Sequence, residues 1–410
     1  MLLTIAWRNL WVNRRRTLTA LSAVAGGVAV MVVIAALMNG MTDRLLEGVT
    51  GSFLGHAQLH RQGYLARRAP ALVVVDADRV LAAVRATEGV QAAAGRLFGV
   101  SNVSFVRGET QVSASVLALV GVEPGPEKAV TDLAARVVEG RWLEGDHDVV
   151  IGAGVAKRTG ARLGDAFLAM ASDGLEPPRV VGIVRTGMDD LDGRTALVTR
   201  GYLAKLLHLE GQVHEIAIRA RDPNQLDALV AAVRASVKSP DDEVLAWYDV
   251  APGIRILIVV FSASPVFMSF ILFLAVALGI VNTLLMANFE RVREFGLMKA
   301  LGARPRRIVG LVLAESAWLA MVGTAAGAAI GLALVGYWSL EGFNLGRLMG
   351  GGGEGVSLAG VAFDPVLWPR VGAADLLKTA VPVAMLTLLA GLWPAVKASR
   401  TEAADALRNE

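Results

Sequence analysis

A chain of 410 residues with a mean hydropathy of +0.52 and 54% hydrophobic residues is too apolar for an ordinary soluble domain of its size, so a membrane protein is the first expectation. The charges nearly cancel at a formal +3, and the basic residues gather beside apolar runs, so the pI near 9.3 marks no nucleic-acid partner. The absence of cysteine excludes disulfides, thiolate metal sites and a cysteine nucleophile.

In residues 1–16, Leu3, Trp7, Leu10 and Trp11 recur at helical spacing opposite Arg8 and Asn13. This predicts either a helix lying in the membrane interface or an extension of the first span. Residues 17–42 carry no charge and follow Arg14, Arg15 and Arg16, which predicts a first spanning helix that starts in the cytoplasm. The run is longer than the apolar core of a signal peptide, typically about 7–15 residues, and no A-x-A site closes it.

Residues 43–254 have a mixed texture and read as an α+β domain on the outer side. Strands are expected at "ALVVV", "VSNVSFV", "VSASVLALV", "HDVVIG", "RVVGIVR" and "HEIAIRA", and helices at "DADRVLAAVRAT" and "DPNQLDALVAAVRASV". Segments from Asp76 to Glu123 and from Asp222 to Trp247 flank a strand-rich inserted subdomain at about 130–214. "GAGVAKRTG" lacks the glycine before lysine of a phosphate loop and predicts a turn followed by a short helix. "MDDLDGRT", with Asp189, Asp190 and Asp192, reads as a hairpin turn joining "VVGIVR" to "TALVTR", because no acidic residue closes a calcium loop. His56 and His60 fall in a strand-like "GHAQLH" as ordinary polar residues of one face, and no metal site is expected.

Residues 255–289 hold a charge-free run of roughly 34 residues that would reach ~51 Å as a helix, against a ~30 Å hydrocarbon core. Either the helix tilts or its first part stands outside as a stalk, with Pro265 marking a kink and Leu257, Val260, Phe261 and Phe267 forming an apolar face in need of a partner. A charged knot follows at 290–307. Val292, Phe295, Met298 and Leu301 recur every three residues, so the knot predicts a short helix with one apolar edge, Gly302 as a left-handed cap and Pro305 as a stop. Such a helix fits a groove on another protein.

A third span is expected at 308–340, interrupted only by Glu315, which is expensive in hydrocarbon and predicted to pair near the interface. Gly323, Gly327 and Gly331 make a doubled GxxxG suited to close helix contact. The loop at 341–375 contains the flexible run "GGGGEG", a fourth span follows at 376–396, and residues 397–410 form a tail. Lys and Arg concentrate at Arg14–Arg16, in the knot and at Lys397 and Arg400, which places the knot and both termini in the cytoplasm.

"ERVREFGLMKALGARPRRIVGLVLAE" resembles the signature of the FtsX-like, MacB/LolC/LolE type of ABC transporter permease. "AWRNLWVNRRRT", "LMNGM", "EGRWLEGDHDVVIG", "GARLGD" and "PAVKASRTEAADALRNE" resemble it too, so the likeness spans nearly the whole chain. The resemblance implies a membrane α-helical fold of four transmembrane helices plus an α+β periplasmic domain, set in the bacterial inner membrane. It also implies pairing with a second permease copy or paralogue and with cytoplasmic ATPase subunits that bind ATP and Mg, this chain binding no cofactor itself. Its sequence contains no GxxxxGK[ST], in keeping with hydrolysis on another chain.

On this resemblance Glu294, Phe295, Gly296, Met298, Leu301 and Gly302 belong to the helix that meets the ATPase, and Ala404 to Leu407 form a second cytoplasmic contact. It further implies that ATP-driven closure is passed through the stalk as mechanical work. The unfused length favours release of lipoproteins to a periplasmic carrier. The link "ASDGLEPP" is short where LolC-type members have a long arm for that carrier, so the chain is similar to LolE or to a relative working as a homodimer. The alternatives are a MacB-like tripartite efflux permease and an FtsX-like scaffold that activates a cell-wall hydrolase.

Overall fold

The computed structural model describes residues 2–170, 175–290, 292–345, 356–358, 361–363 and 366–400. Contacts divide them into a helical unit (Met1–Thr42, Val259–Leu345, Val366–Glu410) and an α/β unit (Asp43–Ile258, Gly346–Pro365).

Long charge-free runs become long helices because only a helix satisfies its backbone hydrogen bonds within one apolar segment. The first runs Arg14–Val49, reaching further than the expected 17–42, and ends in a π-helical turn, Thr50–Leu54. Two more run Pro305–Glu341 and Ala373–Arg400. Among the described residues three candidate spans are long and apolar enough to cross a membrane: Thr17–Leu54, Pro305–Glu341 and Ala373–Lys397. The expected second span falls on a 39-residue helix, Pro252–Glu290, in which Pro252–Met268 counts only as a shorter apolar segment. The helix is continuous through position 265, where the sequence predicts a kink. Leu2–Val12 is a separate helix, broken from the next at Asn13, so the N-terminal segment is not a simple extension of the first span.

The three spans pack through Val24, Val28 and Val32 of the first, Leu319 and Val335 of the second and Val383 and Ala390 of the third. Small residues permit the approach. A Cβ on Gly323 would stand 2.7 Å from Val24, one on Gly327 would stand 2.5 Å from the Ala25 carbonyl, and one on Gly331 would stand 2.8 Å from Val32. The glycine stripe therefore seats the backbone of the first long helix, as the doubled GxxxG leads one to expect.

In the α/β unit ten strands share one sheet: β1 Ala57–Arg61, β2 Val90–Arg107, β3 Thr110–Val122, β4 Val137–Gly140, β5 Asp148–Gly152, β6 Ala166–Ala169, β7 Arg179–Val184, β8 Thr195–Thr199, β9 Glu215–Ala220 and β10 Asp242–Ala246. Their order is β10-β1-β9-β2-β3-β8-β5-β7-β4, with β6 joining β2 to β7. Helices Ala77–Arg85 and Leu226–Val237 bury Val80, Leu81, Val84, Leu229 and Val233, one stripe each at helical spacing, against Leu59, Ile216, Ile218 and Val244 of the sheet. A second core gathers Leu97, Phe105, Leu117, Val149, Ile151, Phe167 and Leu203.

The boundary between these cores lies inside β2. Residues 90–96 pair with β9, whereas residues 97–107 pair with β3. The inserted subdomain thus takes in half of β2 and all of β3, ahead of the expected start near 130. An uninterrupted alternating run holds no mark of where its hydrogen-bond partner changes.

Two local expectations are corrected. "ALVVV" yields only an isolated bridge, Val74 to Val213. "MDDLDGRT" is no hairpin turn, because β5 lies between β7 and β8 and Asp189–Arg194 is a short helix. Asp192 accepts hydrogen bonds there from the Thr186 and Gly187 amides and the Thr186 hydroxyl, closing the loop on itself. "GAGVAKRTG" is a turn and a short helix, Ala153–Thr159, as expected.

Candidate coupling site and apolar recess

The charged knot folds as the helix Val292–Ala300. Its end is a Schellman motif: Gly302, at φ +85°, donates to the Lys299 carbonyl at 2.9 Å, and the Ala303 amide donates to the Met298 carbonyl at 2.9 Å. Pro305 opens the next helix, where its missing N–H is no loss.

Of the apolar edge expected along Val292, Phe295, Met298 and Leu301, the Val292 side chain lies outside the described residues, and Phe295 and Leu301 do not share one surface. Phe295 is buried, only 1% exposed, among Ile308, Val312 and Ala395, with Met298 and Val309 packed beside it. It fastens the short helix to its own chain and is closed to a partner. Gly296 is buried as well. Leu301 is 80% exposed, Leu297 is 55% exposed, and Glu294 is on the surface. Leu297 escapes a reading at spacing three because hydrophobicity alone does not say which leucine meets its own bundle. Ala404 and Leu407, together with "GGGGEG" and part of "ASDGLEPP", lie outside the described residues.

On the Pro252–Glu290 helix, Leu257 and Phe261 are half-buried, while Val260 and Phe267 are 54% and 67% exposed. The N-terminal helix sits on the Pro305–Glu341 helix. The Trp7 and Trp318 rings meet at a tilt of 56° with their centroids 4.9 Å apart, the Trp318 indole N–H donates to the Leu3 carbonyl at 3.1 Å, and Asn9 donates to the buried carboxylate of Glu315 at 2.9 Å. Glu315 thus meets an amide from the N-terminal helix, a contact that spacing alone does not reveal.

A recess of about 460 Å³ opens within the helical unit. Met31, Ala35, Val266, Phe270, Pro382 and Val383 make it apolar, and Asn39, Asp375 and Lys378 mark a polar end. Asn39 donates to Asp375 at 3.0 Å. An apolar chain with a polar head matches that distribution.

The α/β unit buries ionisable groups that local patterns do not expose. Arg96 is fully buried between Glu127, at 2.5 Å, and Glu215, at 2.8 Å, and also donates to the Phe53 carbonyl at 2.6 Å. Burial pushes the Glu215 carboxyl up although Arg96 pulls it down, and the two carboxylates, outweighing burial, hold the Arg96 guanidinium more firmly protonated than usual. The three residues lie at positions 96, 127 and 215, so only folding brings them together. His56 Nδ1 accepts from the Ala220 amide at 3.0 Å, and His60 Nε2 lies 2.9 Å from the Gln58 side-chain oxygen. Both histidines have structural partners.

Family models described as "MacB-like periplasmic core domain" and "FtsX-like permease C-terminal" match residues 17–236 and 266–403. The chain is 24% identical to the lipoprotein-releasing system transmembrane protein LolC of Neisseria meningitidis, over 96% of this chain and 94% of that one. It is 26% identical to the pyoverdine export ATP-binding/permease protein PvdT of Pseudomonas putida over its full length, spanning 59% of that protein. Against the periplasmic region of MacB from Actinobacillus actinomycetemcomitans the TM-score is 0.38 at 13% identity, covering 51% of this chain and 95% of that structure. The two family models together span most of the chain and place it in the family of ABC transporter permeases with MacB-like and FtsX-like parts.

Proposed function

We propose that the chain is one half of an inner-membrane ABC transporter that releases lipoproteins on the periplasmic side, driven by ATP hydrolysis on a separate subunit. The observation that carries this reading is the near end-to-end likeness to a lipoprotein-releasing permease, in which neither chain leaves a large part unmatched. The recess supports it, since its apolar walls suit an acyl chain and its polar end suits the head of a lipidated terminus.

The proposed assembly has four spans per chain, the second on Pro252–Glu290, and a second permease copy or paralogue covering the exposed face of Val260 and Phe267. The ATPase meets Glu294, Leu297 and Leu301, and a rigid cap at Gly302 passes its displacement into the Pro305 helix. Force then reaches the outer domain through the long helices, without substrate crossing the bilayer. A periplasmic carrier receives the product.

Depletion in the native bacterium tests this. Lipoproteins are expected to accumulate in the inner membrane, and normal outer-membrane delivery overturns the reading. The likeness to a pyoverdine exporter over the whole chain favours a second reading, export of a small molecule. In that case depletion leaves lipoproteins in place and raises the cell-associated level of the exported compound.

A further inference from the structure

The α/β unit contains a polar cavity of about 440 Å³ that the proposed function does not use. One wall is the end of the Arg14–Val49 helix and the π-helical turn that follows; Asp132, Arg136 and Arg219 supply others. Three guanidinium groups, Arg44, Arg136 and Arg219, line it against two carboxylates, Glu47 and Asp132.

Both ion pairs are loose. Arg44 and Glu47 are 3.5 Å apart and Arg219 and Asp132 are 3.6 Å apart, whereas Arg107–Asp165 and Arg141–Asp148 in the same unit close to 2.7 Å. At the longer separations neither fork is consumed in a bidentate hydrogen bond. Arg136 has no carboxylate partner among the described residues. One of its terminal nitrogens donates to the Thr186 carbonyl at 3.1 Å, and its Nε–H is buried without an acceptor among those residues. A buried guanidinium N–H without a protein acceptor is costly, so an oxyanion within reach of it would be stabilised. His56 also lines the cavity but adds no positive charge near neutral pH, because burial and the Arg219 charge hold it below its ordinary value.

We propose that this cavity binds a phosphate group. Three arginine forks approach one space from different elements, and a tetrahedral oxyanion presents oxygens in as many directions, whereas a carboxylate presents two in a plane. The net charge of the lining, one more arginine than acid, matches a single anion. The phosphate can come from a phospholipid headgroup or from the free ion. Arg44 follows the charge-free run ending at Thr42 by two residues, about 3 Å along the same helix, which favours the headgroup.

The test uses the full-length protein in an uncharged detergent, with radiolabelled inorganic phosphate, a short-chain phosphatidylglycerol and the matching phosphate-free diacylglycerol as probes. Wild type is expected to bind a phosphate-bearing probe and not the diacylglycerol. Tighter binding of phosphatidylglycerol assigns the lipid, and equal or tighter binding of inorganic phosphate assigns the free ion. Arg136→Gln is expected to weaken binding by roughly tenfold or more. Gly48 lines the cavity with nothing within 4 Å of where its Cβ would stand, so Gly48→Leu occupies the space, keeps every charge and suits the helix. It is expected to weaken binding to the same degree with unchanged melting, and it decides the matter alone should Arg136→Gln fail to fold. Absence of binding of either phosphate probe to wild type up to millimolar concentration, or wild-type binding by a folded variant, overturns the proposal.

Discussion

His60 shows how a single side chain links the fold to pH. It is fully buried in β1, with its Nε2 beside the Gln58 oxygen and its Nδ1 without a hydrogen-bond partner among the described residues. Burial first, and the Arg68 charge second, lower its pKa from 6.5 to about 4. Between those values the unfolded chain takes up a proton that the folded chain refuses, so stability rises with pH across the window. The stabilisation is whole above pH 6.5 and is lost as pH falls toward 4, by an amount on the order of 3 kcal/mol for this residue. Denaturant midpoints of wild type and His60→Gln at pH 7 and pH 5 check this. The variant should lose less stability on acidification, and an unchanged slope rejects the assignment. The strand carrying His60 is legible in "GHAQLH", but the Arg68 charge acting on it depends on how the chain after β1 turns back.

Among the elements, the capped knot divides residues that look equivalent in sequence into two kinds. Leu301 is exposed, so Leu301→Asp should leave melting unchanged and reduce ATPase-coupled transport at least severalfold, measured with the partner ATPase in proteoliposomes. Met298 packs beside Phe295, so Met298→Asp should lower the melting temperature as well and is the poorer probe of coupling. Wild-type transport by Leu301→Asp sinks the contact assigned to it. The glycine stripe makes a sharper demand. Gly327→Leu would drive a side chain into the Ala25 carbonyl and the Val28 Cβ, so it should lower the melting temperature in detergent, while Gly336→Leu, where nothing lies within 4 Å, should not. Equal melting of the two variants rejects the packing. The helix, cap and stripe were readable because each depends on residues within a few turns of one another; the inward turn of Phe295 was not, since it depends on Ile308 and Ala395.

For the whole molecule, orientation is the quantity on which the proposed mechanism rests. The chain has no cysteine, so single cysteines report topology without background. Glu109→Cys, in the β2–β3 turn, should react with an impermeant maleimide from the periplasm, and Arg304→Cys, beside the cap, only after the inner membrane is opened. Labelling of both from one side removes the cytoplasmic coupling contact.

Sequence alone determined the class of the protein, the long apolar helices, most strands of the α/β unit, the glycine seam and the Gly302 cap. Each of these is dictated by local chemistry: apolar length, periodicity, or a backbone conformation that glycine accommodates best. Tertiary structure alone decided that β2 serves two cores, that Phe295 fastens while Leu301 stays outside, and that Arg96 meets Glu127 and Glu215. Those outcomes turn on hydrogen bonds, contacts and charges between segments far apart along the chain, and a linear pattern holds no record of which distant segment arrives.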